Sequence, residues 1–219
     1  MSPSGLIALL LLAALPPVAA AAATEPASAC LDAAAVAERA WMLPPDLVAA
    51  IGRVESGRVN QATGRVIPWP WTVNANGSGN YFATRMAAVE FVRSLQANGV
   101  RVIDVGCFQV DLFYHPAAFA SLEEAFDPAA NADYAARFLT ALHAQTGSWP
   151  AAVARYHSGL ALEGEGYRVR VMSQLGSGGS VAGTAAAPSA GRGARLQPAA
   201  DRYVVLMSAA ARTIRVIGP

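Results

Sequence analysis

Residues 46–57, DLVAAIGRVESG, form an amphipathic stretch that carries one carboxylate on its apolar face. Leu47, Val48 and Ile51 recur at helical spacing after the Pro44-Pro45 pair, so we predict a helix over residues 46–56. Gly57 follows as a favoured residue just beyond a helix C-terminus. Glu55 lies four residues after Ile51 and therefore shares its face.

A carboxyl group on an apolar face at a helix end is held partly out of water. Desolvation disfavours the charged form and raises the pKa, which is what a general acid needs near neutral pH. Two other interpretations of Glu55 stay open from this helix alone. The side chain could point to solvent at the edge of the apolar face, or it could be the buried partner of Arg53 or Arg58.

An aromatic segment follows at residues 66–82, VIPWPWTVNANGSGNYF. Its prolines exclude a helix, and Asn76-Gly77 between apolar segments predicts a β-hairpin. Aromatic faces beside amide side chains suit sugar rings, so Trp71, Asn76 and Tyr81 are candidate substrate contacts. The alternative is that these aromatic side chains form core beneath the hairpin.

The remaining pattern is mostly helical. Asp32 is predicted to cap a first helix that ends at Trp41. Later helices are predicted to begin at Thr84, Ser121, Asp127, Trp149 and Glu163. The later helices are predicted over 84–98, 121–126, 127–145, 149–157 and 163–175. The predicted fold class is mostly α, a lysozyme-like α+β arrangement with one small β-hairpin. The folded domain is predicted over 30–175, with a flexible linker at 176–200 and a C-terminal tail at 201–219 that docks or stays disordered.

The N-terminus resembles a signal peptide over residues 1–24. Leu6 to Leu15 is an apolar run of about ten residues, too short to span a bilayer, and Ala19 to Ala23 offers small-residue cleavage sites. No Lys or Arg precedes Leu6, so an uncleaved anchor is the alternative. We predict a periplasmic or secreted protein.

Composition and cysteine usage narrow the function classes. The formal net charge is +1 and charged residues make up only 14% of the chain, which argues against nucleic acid as a partner. In an oxidising compartment Cys30 and Cys107 suggest one disulfide. Lipidation of Cys30 is disfavoured, because no Leu-type sequence precedes it. Two cysteines and three scattered histidines give no metal-ligand spacing.

Two further motifs carry polar groups beside small residues. Gly106-Cys107-Phe108-Gln109-Val110 combines a glycine with an amide that could hold a sugar substituent. Residues 154–159, ARYHSG, place Tyr156 and His157 at a helix end. Tyr156 could hydrogen-bond Glu55, or it could be a core tyrosine.

The three motifs together resemble those of the soluble (SLT) type of lytic transglycosylase, relatives of goose-type lysozyme. The resemblance rests on Ile51-x-x-Val54-Glu55-Ser56-Gly57, Gly106-x-x-Gln109-Val110 and Ala154-x-Tyr156-x-x-Gly159. It implies cleavage of the β-1,4 bond between N-acetylmuramic acid and N-acetylglucosamine in peptidoglycan, without a metal or cofactor. The chain departs from many members in having His157 in place of Asn and Phe108 in place of Met.

The resemblance also implies roles for individual residues. Glu55 is the single acid/base, and Ser56 supports the site. Gly106 and Gln109 line the sugar cleft, and Tyr156 orients Glu55 or the substrate. His157 could act as a hydrogen-bond donor whose charge depends on pH.

Two rival functions stay open at this point. Asp104 or Asp111 could supply a second carboxylate, which would make the protein a hydrolytic muramidase. The chain could also be a non-catalytic peptidoglycan-binding or assembly module. Glycan strands of peptidoglycan are the expected partner, with an envelope-spanning secretion or flagellar assembly as a further possibility, and the protein is expected to be a monomer.

Overall fold

The structure, a computed structural model, describes residues 26–176 and two short strands at 204–207 and 214–217. Helices dominate this part of the chain, and the β part is small, which confirms the predicted fold class. The helices are α1 (Pro26–Ala40), α2 (Leu47–Glu55), α3 (Arg85–Ala97), α4 (Leu122–Ala125), α5 (Pro128–Thr146), α6 (Trp149–His157) and α7 (Ala161–Gln174).

Most predicted helix ends agree with the structure, and two predictions at helix ends are wrong. Helix α1 begins at Pro26, a residue favoured in a first helical turn, so Asp32 lies inside the helix and does not cap it. Gly57 does not end α2 in a left-handed conformation but begins a strand. A glycine is nevertheless required there, because a Cβ on Gly57 would lie 2.1 Å from the Arg53 carbonyl oxygen.

A buried carboxylate from α1 caps the start of α2. Glu38 accepts hydrogen bonds from the backbone N–H groups of Asp46, Val48 and Ala49, at 2.8, 2.8 and 3.1 Å. These N–H groups have no partner within the helix, and a negative charge at a helix N-terminus is favourable. Glu38 thereby fixes the direction in which α2 delivers Glu55.

The far end of α2 is fixed by an ion pair. The buried Arg53 side chain donates to both carboxylate oxygens of Asp46, at 2.7 and 3.1 Å, and to the Gln174 carbonyl oxygen. Arg53 therefore ties α2 to the end of α7. Glu55 was left open above as a possible ion-pair partner of Arg53. Arg53 pairs with Asp46 instead.

The β part contains more strands than the single hairpin predicted. Strands β1 (Gly57–Val59) and β2 (Val66–Pro68) form one antiparallel pair, and a four-stranded antiparallel sheet has the order β4-β3-β5-β6. The strands of the sheet are β3 (Thr72–Ala75), β4 (Ser78–Tyr81), β5 (Ile103–Val105) and β6 (Val110–Asp111). The predicted Asn76-Gly77 turn joins β3 to β4, with positive φ at both residues as a type I′ turn requires.

Two apolar clusters hold these elements together. The larger lies among α1, α2, α5, α6 and α7, and contains the fully buried Ile51 and Phe108. The smaller packs α3 and α4 against the four-stranded sheet. The predicted disulfide between Cys30 and Cys107 is confirmed, and it joins α1 to the turn between β5 and β6.

The chain ends fall largely outside the described residues. The predicted signal peptide at 1–24 and the linker prediction from residue 177 onward lie there. Within the predicted tail, β7 (Val204–Met207) pairs with β8 (Ile214–Ile217), an antiparallel pair that the sequence reasoning missed. Within the described ranges, no helix is both long enough and apolar enough to cross a bilayer.

Candidate active site

Glu55 is the last residue of α2 and is half-buried. The helix places it there because Leu47, Val48 and Ile51 are driven into the larger core and Glu55 continues along their face. The side chain is therefore neither fully solvated nor sealed in the core. It stands where the helix gives way to β1.

Ser56 connects this helix end to the neighbouring elements. Its hydroxyl donates to the Cys107 carbonyl oxygen at 2.7 Å and accepts from the backbone N–H of Trp69 at 3.1 Å. The residue is completely buried. Ser56 therefore lies behind Glu55 and ties the end of α2 to the β5–β6 turn, while its role in supporting the site stays a prediction.

The turn that contains Gly106 and Gln109 is built from unusual backbone conformations. Gly106 has φ +83° and Gln109 has φ +49°, both in the left-handed region. A Cβ on Gly106 would lie 2.5 Å from the Asn131 side chain, so no other residue fits. Gln109 donates through Nε2 to the carbonyl oxygens of Thr72 and Gly106, at 3.2 and 3.0 Å. Because both amide protons are used within the fold, the side-chain oxygen is the group of Gln109 left to accept a further hydrogen bond.

Asn131 on α5 holds the same turn through side-chain hydrogen bonds, and sequence reasoning missed this residue. This fully buried residue on α5 accepts from the Phe108 N–H at 2.9 Å and donates to the carbonyl oxygens of Val105 and Ala125. The available signal was a lone amide on the apolar face of α5, at helical spacing from Ala135 and Phe138.

Tyr156 approaches the turn from α6. Its hydroxyl donates to the Phe108 carbonyl oxygen at 2.9 Å, so its single proton is committed to the turn. Burial, and then the charge of nearby Glu55, raises the pKa of Tyr156 well above its ordinary value. Ser56 and Tyr156 therefore bond to consecutive carbonyl oxygens, those of Cys107 and Phe108. The three sequence motifs meet through these two hydrogen bonds.

Tyr167 on α7 is a neighbour of Glu55 that the sequence reasoning missed. Burial raises the pKa of its hydroxyl well above the ordinary value, followed by the charge of Glu55 and a hydrogen bond to that carboxyl group. The hydroxyl forms no hydrogen bond of normal distance and angle in the free protein, so its contact with Glu55 there is long or poorly aligned. The Tyr167 ring stacks on His157, with centroids 4.7 Å apart and planes 8° apart.

A pocket lies beside these residues. Three predicted site residues, Gln109, Tyr156 and His157, line it together, whereas Glu55 borders this group through Tyr156 and Tyr167 and is not part of the lining. Most of the lining comes from β6 and the segment after it, α5 and α6. Within the described ranges, no three His, Cys, Asp or Glu side chains gather closely enough to hold a metal ion.

The comparison with protein families decides the identity of this arrangement. The model of the transglycosylase SLT domain matches residues 32–166, which is more than half of the chain and includes all three motifs. The chain belongs to the transglycosylase SLT domain family. The resemblance predicted from the motifs is thereby confirmed. Searches among curated proteins and among solved structures found no match.

Two carboxylates stand on the wall of the pocket of this SLT domain. Asp104 on β5 and Asp111 on β6 are cross-strand partners, so their side chains project from the same face of the sheet. Both are buried. Asn74 donates to Asp104 at 3.4 Å, and Asp111 accepts from the backbone N–H groups of Phe113 and Tyr114, at 2.7 and 2.9 Å.

A histidine and a tyrosine also line the pocket. The Tyr134 hydroxyl is 2.8 Å from Nδ1 of His115, and both residues line the pocket. Burial raises the pKa of Tyr134 to about 12. Tyr134 therefore stays neutral at physiological pH and acts as a hydrogen-bonding wall.

The three residues of the aromatic segment that were predicted to bind sugar do not line this pocket. Trp71 is half-buried against the smaller core, and Asn76 is at the exposed tip of the β3–β4 hairpin. Tyr81 is exposed, and its hydroxyl donates to the Gly57 carbonyl oxygen at 3.3 Å. Trp71 therefore fits the core alternative better, while Tyr81 belongs to a surface next to the end of α2.

Proposed function

We propose that this SLT-family protein is a peptidoglycan lytic transglycosylase in which Glu55 is the single acid/base. The observation that carries the proposal is the half-buried position of Glu55 beside half-buried Tyr156 and fully buried Tyr167. Family membership implies peptidoglycan as the substrate. We further propose that Glu55 is the residue that acts, that the β-1,4 bond is cleaved and that a 1,6-anhydro product forms.

In the first step, protonated Glu55 gives its proton to the oxygen that links N-acetylmuramic acid to the next N-acetylglucosamine. The glycosidic bond breaks, and the N-acetylglucosamine leaves as an alcohol. Positive charge develops at C1 of the muramoyl ring, and the carbonyl oxygen of the N-acetyl group of that same ring stabilises it. Positioned proton transfer of this kind contributes about 10²- to 10⁴-fold to a rate.

In the second step, Glu55 is a carboxylate and removes the proton from the C6 hydroxyl of the muramoyl ring. The C6 oxygen bonds to C1, and a 1,6-anhydro ring forms. Glu55 is protonated again, as at the start, and no water is consumed. Tyr167 supports this step because its buried hydroxyl faces Glu55 and can donate to the carboxylate when it forms.

The other residues act on the substrate or on the frame. Gln109 offers its amide oxygen to a hydroxyl or amide proton of the glycan, and Tyr156 holds the turn that carries Gln109. His157 stacks on Tyr167 and lines the pocket, where it can donate to the substrate. The scheme requires no metal or cofactor.

Hydrolysis is the second candidate function, favoured by the carboxylates of Asp104 and Asp111 in the pocket wall. Either could activate a water molecule that attacks C1 in place of the C6 hydroxyl. Asp111 already accepts two backbone hydrogen bonds within its own turn, which favours a structural role for it. A non-catalytic binding module, the third alternative, would show no turnover.

Release of labelled fragments from purified sacculi tests the proposed role of Glu55. Glu55→Gln should abolish release, since the amide cannot transfer a proton, while binding to sacculi is retained. Glu90→Gln is the matched control, because Glu90 is exposed on α3. Release by Glu55→Gln at the wild-type rate would contradict the proposal.

We also propose that the protein acts outside the cytoplasm, where its substrate is located. The signal peptide predicted at residues 1–24 and the disulfide between Cys30 and Cys107 support export. A role in wall opening for a secretion or flagellar assembly, and a monomeric state, remain part of this proposal. Detection of the mature N-terminus in a periplasmic fraction tests the export step.

A further inference from the structure

An exposed arginine beside Glu55 is held in place by two aromatic rings. The guanidinium carbon of Arg58 lies 4.5 Å from the Trp69 ring centroid and 5.1 Å from that of Tyr81. Cation–π contacts of this kind restrict the guanidinium group while its N–H groups stay available. Among the described residues, no carboxylate lies within 4.0 Å of this group.

Both rings are themselves anchored to the end of α2. The backbone N–H of Trp69 donates to the Ser56 hydroxyl and carbonyl oxygens, each at 3.1 Å, and its indole N–H donates to the Phe82 carbonyl oxygen at 2.7 Å. Tyr81 donates to the Gly57 carbonyl oxygen. The platform of Arg58, Trp69 and Tyr81 is therefore attached to the two residues that follow Glu55.

Arg58 lies close enough to Glu55 in the chain to reach a group carried on the sugar that is cleaved. Arg58 follows Glu55 by three residues, so their Cα atoms are at most about 11 Å apart. A fixed guanidinium with free N–H groups and no acidic partner is suited to a carboxylate, which it can bind through two parallel hydrogen bonds. In peptidoglycan the muramoyl residue bears a peptide stem with free carboxylates, whereas the glycan backbone itself has none.

We propose that Arg58, held by Trp69 and Tyr81, binds a carboxylate of the peptide stem and so makes the protein select peptide-bearing glycan strands. This inference rests on the proposed function, because it takes peptidoglycan bound at Glu55 as its starting point. The platform also gives Tyr81 a role other than sugar stacking, since Arg58 covers its ring.

Binding measured by co-sedimentation with sacculi tests the proposal without turnover. All proteins carry Glu55→Gln, and Arg58→Gln is compared with this parent. Arg65→Gln is the matched control, because Arg65 is an exposed arginine on the same β1–β2 hairpin without a ring contact. Three ligands are used: native sacculi, sacculi whose carboxylates have been converted to amides with carbodiimide and an amine, and strands stripped of peptide by an amidase.

The three ligands separate the two sources of a carboxylate. Native sacculi carry stem carboxylates, stripped strands carry only the lactyl carboxylate of muramic acid, and amidated sacculi carry neither. Arg58→Gln should weaken binding to native sacculi about twofold to fivefold, the range for one exposed ion pair. It should leave binding to the other two ligands unchanged, and Arg65→Gln should match the parent on all three.

Several results would overturn the stem-carboxylate assignment. An equal loss on amidated sacculi would mean that Arg58 does not bind a carboxylate. An equal loss on stripped strands would assign Arg58 to the lactyl group, and no loss on native sacculi would leave the platform without a substrate role. Failure of the proposed catalysis is detected separately, as turnover retained by the Glu55→Gln parent.

Discussion

Replacing Tyr167 by Phe should separate catalytic positioning from stability. The Tyr167 hydroxyl is buried and forms no hydrogen bond of normal distance and angle in the free protein. Burying an unbonded hydroxyl costs about 1–3 kcal/mol in proteins. Tyr167→Phe should therefore leave the free energy of unfolding unchanged or raise it by about 1 kcal/mol.

The matched variant Tyr156→Phe should have the opposite effect. It removes the 2.9 Å hydrogen bond to the Phe108 carbonyl oxygen and leaves that oxygen without the hydroxyl. The net loss of a buried hydrogen bond is about 1 kcal/mol, and an unsatisfied buried acceptor adds about 1 kcal/mol more. The two variants should thus differ by about 2–3 kcal/mol in urea unfolding.

Activity should move independently of stability for Tyr167. Loss of a hydrogen bond to a carboxylate is worth about 1.5–3 kcal/mol, so kcat on purified sacculi should fall by about tenfold or more. A Tyr167→Phe protein that is less stable than Tyr156→Phe, or that keeps wild-type kcat, would refute the assignment of Tyr167 as a positioning residue for Glu55.

Three further predictions concern the frame of the site. Glu38→Ala should lower the free energy of unfolding by about 3 kcal/mol, measured with urea, because three backbone N–H groups lose their shared acceptor; a loss below about 0.5 kcal/mol would mean that water replaces the cap. Reduction of the Cys30–Cys107 disulfide, whose cysteines are 77 residues apart, should lower the free energy of unfolding by about 4.5 kcal/mol in the chain-entropy model. Equal thermal midpoints with and without reductant would contradict this. Alkaline pH should also destabilise the fold, because buried Tyr134 keeps its proton in the folded state up to a pKa of about 12, whereas the unfolded chain releases it near 10. The contribution of protonated Tyr134 to the free energy of unfolding is complete below pH 10. It is lost as the pH rises toward 12, and the loss is about 2.7 kcal/mol at most. Urea unfolding from pH 8 to 12 should therefore show a shallower decline in stability for Tyr134→Phe than for wild type.

Short-range signals in the sequence predicted much of the fold. The Asn76-Gly77 turn and the caps at Thr84 and Asp127 depend on atoms within three residues of one another, and all three are in the structure. The helix at 46–56 followed from apolar periodicity. Family motifs then indicated that Glu55, Gln109 and Tyr156 belong to one site.

Long-range partners could not be predicted in the same way. Glu38 caps a helix that begins nine residues later, and Asn131 bonds to backbone groups of the β5–β6 turn across 23 residues. Nothing local distinguishes Glu38 from an exposed glutamate on α1. Tyr167 was missed for the same reason, because its hydroxyl reaches Glu55 only once α7 packs on α2. Strands β1, β2, β5 and β6 were missed because each has three residues or fewer.

The mass spectrum of the fragments released from purified sacculi by the wild-type protein tests the central claim most directly. If Glu55 works alone and the C6 hydroxyl is the nucleophile, every new muramoyl end is a 1,6-anhydro end, lighter than a reducing end by one water. The Glu55→Gln protein should release neither kind of end. Reducing muramoyl ends from the wild type would contradict the account and would assign the reaction to hydrolysis assisted by Asp104 or Asp111.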